Sequence, residues 1–207
     1  MIKKKISTKE KKNIILASSS PSRRKILNAT GINFLSKNPN ADEEALKIGF
    51  KGNPKNLALM LAEEKALSVS QDYIKSYVIG ADQVLSFKGA TFNKPKTLKQ
   101  AKENLRVFRG KKHKLESATT IAHSGRIIWR HQESPALTMR NFSDRFLNSY
   151  IKMAGDKTLL SSGGYSIEKE GSQLFSKVEG DFCTIVGLPL MPLLQKLRKL
   201  KSMGISE

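Results

Sequence analysis

The chain has 207 residues, of which 37 are Lys or Arg and 18 are Asp or Glu, giving a formal charge of +19 at pH 7. Hydrophobic residues make up 39% and charged residues 27%, which excludes a disordered chain and supplies a hydrophobic core. The single cysteine, Cys183, excludes a disulfide framework and a thiolate metal cluster and fits a reducing cytosol, and no apolar run approaches the roughly 20 residues of a membrane span.

The first twelve residues carry six Lys and one Glu and read as a solvated basic arm without the apolar stretch of a secretory signal. This sets 1–12 apart from a single domain over 13–203, because no linker, repeat or composition shift follows. Asn13-Ile14-Ile15-Leu16-Ala17 predicts a buried strand, stopped by Ser18-Ser19-Ser20-Pro21. Ser20 as cap, Pro21 at the first helical position and Gly31 beyond the end bracket a helix near 21–29. Asn53-Pro54 opens a second helix running to Ser70, with Leu57, Met60, Leu61 and Leu67 on one face. Tyr77–Leu85 reads as a strand with a glycine inside it, followed by a Lys88-Gly89 turn. Leu98, Ala101, Leu105 and Phe108 recur at helical spacing up to Gly110. Strands near 113–123 and 126–133 are joined by Ser124-Gly125. A helix capped by Ser143 runs to Gly155, strands follow near 173–178 and 182–187, and a basic helix closes the chain near 192–202. Helices alternating with strands and hairpins predict one α/β domain with a mixed sheet.

Three groups of residues carry chemistry. At the first strand-to-helix junction the free N–H groups of a helix start, the hydroxyls of Ser18 and Ser20 and the fork of Arg23 suit phosphate oxygens; the plainer alternative is a serine-capped helix with solvated arginines. Asp82 follows Gly80-Ala81 in an apolar strand, where a carboxylate is costly unless held. It either ligates a hard cation such as Mg²⁺, takes a proton from water, or caps a turn at the strand end. Lys65, four residues after Leu61, is drawn toward the apolar helix face, and Lys94 precedes a proline that fixes its backbone. Asp42-Glu43, taken alone, reads as a surface pair. His113, His123 and His131 lack metal-ligand spacing and read as strand residues, while Met60, Met153 and Met191 read as core fillers.

Taken together, these blocks resemble the Maf family of nucleotide pyrophosphatases. The matching stretches are Leu16–Arg24, Asp42-Glu43, Ala62–Ala66, Gly80-Ala81-Asp82, Lys94-Pro95, Phe108-Arg109-Gly110 with His113, Gly163–Ile167, and Glu179-Gly180-Asp181 with Val186–Pro189. The resemblance implies a single α/β domain with an elongated, bent mixed sheet, a cleft between two lobes and a homodimer. It implies hydrolysis of the α–β phosphoanhydride of nucleoside triphosphates, with Mg²⁺ or Mn²⁺. Carried over by motif, Asp82 is the proton acceptor; Ser18, Arg23, Lys65 and Lys94 bind phosphates; Glu43 and Asp82 hold the metal. Asp181 is either a further metal contact or a residue shaping the Gly180 turn.

Base preference rests on Ser22, Gln83 and Glu168. Members similar to the dTTP/UTP branch carry Arg, Thr and Gln there; Gln83 and Glu168 match the branch similar to 7-methyl-GTP pyrophosphatases, which has Trp where Ser22 stands. A carboxylate at 168 accepts the N–H pair of a guanine edge, so guanine-type or modified purine triphosphates are the expected substrates. A rival reading takes the basic arm and Lys196, Arg198, Lys199 and Lys201 as the surface of a nucleic-acid-binding or division-linked protein with a vestigial cleft. Aromatics are only 7% of the chain, so nucleic-acid binding is expected to be weak and nonspecific.

Overall fold

Four consecutive buried apolar residues, Ile14–Ala17, form strand β1 in the computed structural model, which describes residues 13–200. β1 lies between β2 (Phe34–Lys37) and β3 (Tyr77–Phe87), parallel to both. Helix α1 (Pro21–Asn28) connects β1 to β2; α2 (Glu43–Ile48) and α3 (Pro54–Ser70) lead from β2 to β3. The Lys88-Gly89 turn, with φ of 52° and 82°, folds β3 back into β4 (Ala90–Phe92); two residues with positive φ give the turn whose twist matches a hairpin. After α4 (Leu98–Phe108), the long β5 (Lys112–His123) runs antiparallel to β3 from Val78↔Ala122 to Ser86↔Lys114. A second such turn, Ser124-Gly125 at φ 51° and 69°, leads into β6 (Arg126–Glu133).

β7 (Ala136–Met139) pairs with the start of β5 and with β8 (Phe175–Glu179). Between them come α5 (Asp144–Ala154) and two 3₁₀ turns, Gly155–Leu160 and Glu170–Leu174; α6 (Phe182–Val186) and α7 (Leu190–Lys199) follow β8. All eight strands join one mixed sheet in the order β2-β1-β3-β5-β7-β8, with β4 on β3 and β6 on β5.

The two long strands carry different neighbours at their two ends. One end of the β3/β5 ladder is covered by Leu16, Leu27, Ile79, Ile121, Leu193 and Leu197. The other packs Leu85, Phe108, Leu137, Leu147 and Tyr165 into a separate core. The expected α/β domain with a mixed sheet is observed, its two cores joined through β3 and β5.

Several local expectations change. Phe182–Val186 is helical, although its β-branched residues read as a strand: Asp181 caps the N-terminus and Gly187, at φ 119°, ends the helix in the left-handed region. The segment from 173 splits into a 3₁₀ turn and β8, and the last helix begins at Leu190. β3 runs to Phe87, so Asp82 sits mid-strand rather than near its end. β2, α2, β4 and β7 are too short to carry a periodic signal. Met153 and Met191 are exposed, at 50% and 55%, and are not core fillers. The arm over 1–12, Lys201 and the stretch 201–203 lie outside the described residues.

Candidate active site

Helix α3 is laid directly onto β3. A Cβ on Gly80 would stand 2.1 Å from the carbonyl oxygen of Ala62 and 2.8 Å from Cβ of Ala66, so the glycine inside the strand is what lets helix and strand touch. Thr120, opposite Gly80 on β5, donates its hydroxyl to that same Ala62 carbonyl at 3.1 Å. The buried stripe of α3 includes Leu57, Leu61, Lys65 and Val69 at four-residue steps, so Lys65 falls on the core face.

This packing sets the charged centre. Lys65 and Asp82 are each 6% exposed. The Lys65 ammonium lies 2.5 Å from Oδ1 of Asp82 and 2.9 Å from Oε1 of Glu43. Glu43 starts α2, whose cap Asp42 accepts the Ala45 N–H at 3.0 Å. The supposed surface pair therefore divides: Asp42 is exposed, while Glu43 turns inward to Lys65. Burial raises the Glu43 pKa, but the charge and hydrogen bond of Lys65, with Lys47 and Arg23, outweigh it and hold the carboxyl below its ordinary value.

Arg23 closes the site from α1. Its Nε donates to the carbonyl of Gly187 at 2.8 Å. Burial pulls its pKa below the usual guanidinium value, against the attraction of Asp82 and Glu43. Ser18, buried at the end of β1, accepts the N–H of Ser20 at 3.2 Å.

Strand register explains why these groups meet. β1 pairs with β3 up to Ala17↔Gly80, and antiparallel β4 pairs with it down to Leu85↔Phe92. The carboxyl ends of β1 and β4 therefore face each other along one edge of β3. The five steps from Gly80 to Leu85 span about 16 Å, with Asp82 in the middle. Ser18 follows β1 directly and Lys94 follows β4 by two residues; Lys94 is exposed and makes no ion pair or hydrogen bond among the described residues. Such convergence of strand ends is where open α/β sheets take ligands.

The expected specificity residues fall in two places. Ser22 donates its hydroxyl to Oε1 of Glu168 at 3.1 Å, across 146 residues of chain. Gln83 lies on the opposite face of β3 from Asp82, and its amide donates to Ser117 Oγ at 2.8 Å and to the carbonyls of Thr184 and Ile185 at 2.9 and 3.1 Å. It thereby fixes α6, and with it the Gly187 carbonyl that holds Arg23. Asp181 is exposed and caps α6, accepting Thr184 N–H at 2.8 Å; its hydrogen bonds among the described residues go to Thr184, not to Glu43 or Asp82.

The sequence alone did not single out Glu116, a buried carboxylate diagonal to Asp82 on the same sheet face. It accepts hydrogen bonds from Ser86 and Ser134 and forms no salt bridge among the described residues. Nor did it single out the Gly187 carbonyl; the glycine in the Val186–Pro189 block was its one visible sign.

The donor set suits a hard divalent cation. Glu43 and Asp82 offer carboxylate oxygens converging on one point, now marked by an ammonium. Among the described residues no three His, Cys, Asp or Glu gather. A cation here would complete its shell with water and phosphate oxygens, as Mg²⁺ does.

The family model described as Maf-like protein matches residues 13–200. The chain belongs to the Maf-like protein family. Its Maf-like relatives include a protein of Rhizobium meliloti named 7-methyl-GTP pyrophosphatase, 40% identical over 190 residues, covering 90% of this chain and 96% of the relative. Two named nucleoside triphosphate pyrophosphatase, from Hyphomonas neptunium and Caulobacter vibrioides, are 43% and 45% identical over 188 residues, each covering 89% of this chain and 94% of the relative.

Proposed function

We propose that this Maf-like protein hydrolyses nucleoside triphosphates at the α–β phosphoanhydride, releasing a nucleoside monophosphate and pyrophosphate. The observation that carries this reading is the buried Lys65–Asp82–Glu43 cluster, set with Arg23 where β1 and β4 converge. The names of the relatives support it. Phosphoryl chemistry requires positioning and charge neutralisation more than covalent catalysis. Arg23, Lys65 and Lys94 supply cations for the phosphates, and the Ser18 hydroxyl supplies a neutral donor. Asp82, freed from Lys65, takes the proton of the attacking water.

Glu43 and Asp82 would hold Mg²⁺ or Mn²⁺, which when bound neutralises charge on the phosphates. Glu168, beside Ser22, accepts hydrogen bonds from the base, favouring guanine-type or modified purine triphosphates. A homodimer and a cytosolic location complete the reading; light scattering of the purified protein tests the first. No helix among the described residues is long and apolar enough to cross a membrane.

The test is a panel of standard and methylated nucleoside triphosphates assayed for pyrophosphate release with Mg²⁺ and Mn²⁺. Asp82→Asn should lower turnover by about 10²–10⁴-fold with folding intact. Near-full activity in that variant rejects the mechanism.

A further inference from the structure

Lys65 stands where a cation between Glu43 and Asp82 would stand, and this has a consequence for how the site loads. Its ammonium touches both carboxylates, at 2.9 and 2.5 Å, on a side chain 7% exposed. A buried ammonium cannot leave two carboxylates without a cation to replace it there and an anion to receive it elsewhere. Lys65 and Arg23 balance Glu43 and Asp82, and Lys47 lies 3.8 Å from Glu43 at the rim, so the cluster carries no surplus negative charge as it stands. A divalent cation added alone would place surplus positive charge against a buried ammonium, and a triphosphate added alone would place surplus negative charge beside two carboxylates. Added together, each supplies what the other requires.

We propose that Lys65 and the divalent cation exchange places. Without nucleotide the ammonium neutralises Glu43 and Asp82; when the cation takes that position, Lys65 moves onto the phosphates. The proposal rests on the assignment of the metal to Glu43 and Asp82. The surroundings permit the movement. Lys65 carries its charge on a flexible four-carbon stem, and Glu43 sits 38% exposed on a helix with no buried residue, whereas Asp82 is fixed in the middle of a strand paired along its β5 edge. The exchange makes cation and nucleotide binding mutually reinforcing, by the same factor in either direction.

The test measures Mn²⁺ binding to the full-length, nucleotide-free protein from the electron paramagnetic resonance signal of free Mn²⁺. Wild-type protein should bind Mn²⁺ weakly, and Lys65→Gln should bind it about tenfold or more tightly, a typical size for a coupling of this kind. Lys65→Arg should remain as weak as wild type. Lys94→Gln removes the same charge from the rim and should change affinity far less. Unchanged or weaker Mn²⁺ binding in Lys65→Gln, or an equal gain in Lys94→Gln, overturns the exchange. Adding Glu43→Gln to Lys65→Gln should abolish the gain; a gain that survives this change refutes the metal assignment instead. Thermal unfolding verifies each variant, and Lys65→Met, which keeps the apolar stem, replaces Lys65→Gln if the latter does not fold.

Discussion

Ser22 occupies one oxygen of Glu168, and the other accepts no hydrogen bond among the described residues, so it is open to a donor on the base. A hydroxyl rotates away at little cost, so the pair can become a two-oxygen acceptor for the N–H groups of guanine. Glu168→Gln replaces an acceptor-only group by one that both donates and accepts. A hydrogen bond to a charged group is worth about 1.5–3 kcal/mol, so the ratio of guanine-type to pyrimidine turnover should fall by about 10–10²-fold. Equal dTTP hydrolysis before and after the change would reject the role of Glu168. His113 gives a second prediction at this scale. Its Nε2 lies 2.7 Å from the Tyr165 hydroxyl, Nδ1 has no hydrogen-bond partner among the described residues, and burial lowers its pKa to about 4. The unfolded chain therefore binds this proton first as pH falls below 6.5. The folded state should lose stability between pH 6.5 and 4, up to about 3 kcal/mol from this residue. The urea midpoint over that range should fall less steeply in His113→Gln.

Between elements, the contact that matters most is α3 on β3. Gly80→Ala places a methyl group against the Ala62 carbonyl, and such overpacking costs about 1–3 kcal/mol. Because the helix must move to accept it, Lys65 and Asp82 should separate, so pyrophosphate release should fall together with the melting temperature. Asp181 is a cap in this structure. Asp181→Asn preserves that cap and should leave the dependence of turnover on Mg²⁺ unchanged; a large rise in the Mg²⁺ requirement would restore Asp181 as a ligand. The elements that could be read in advance are those with caps and long periods: Ser20-Pro21 for α1, Asn53-Pro54 for α3, and the two turns ending in glycine. Lys65 was legible because its spacing from Leu61 puts it on the core face. What stayed hidden depends on partners distant in sequence. The β-branched run Phe182–Val186 is helical through its two caps and the Gln83 amide beneath its carbonyls, and Glu43 turned inward only because α2 lies against Lys65. The contact between Ser22 and Glu168 has no local signal at all.

For the whole molecule, a charge of +19 predicts attraction to any polyanion. Binding to duplex DNA should weaken steeply with salt, with a log–log slope of about −0.9 per phosphate neutralised. Deleting residues 1–12 should reduce that binding and leave turnover unchanged; a loss of turnover would bring the arm into the site. Every group assigned to the phosphates and the metal, from Ser18 to Lys94, comes from the first 94 positions, while Glu168 arrives from the far half of the chain and meets them through Ser22. On the proposed assignment, the residues for breaking the anhydride and the carboxylate for reading the base are thus encoded in separate stretches of the gene. Under that assignment a single codon change at 168 or 22 would redirect which nucleotide is destroyed while the means of destroying it passes on intact, so descendants of one such enzyme would diverge in diet without relearning the chemistry.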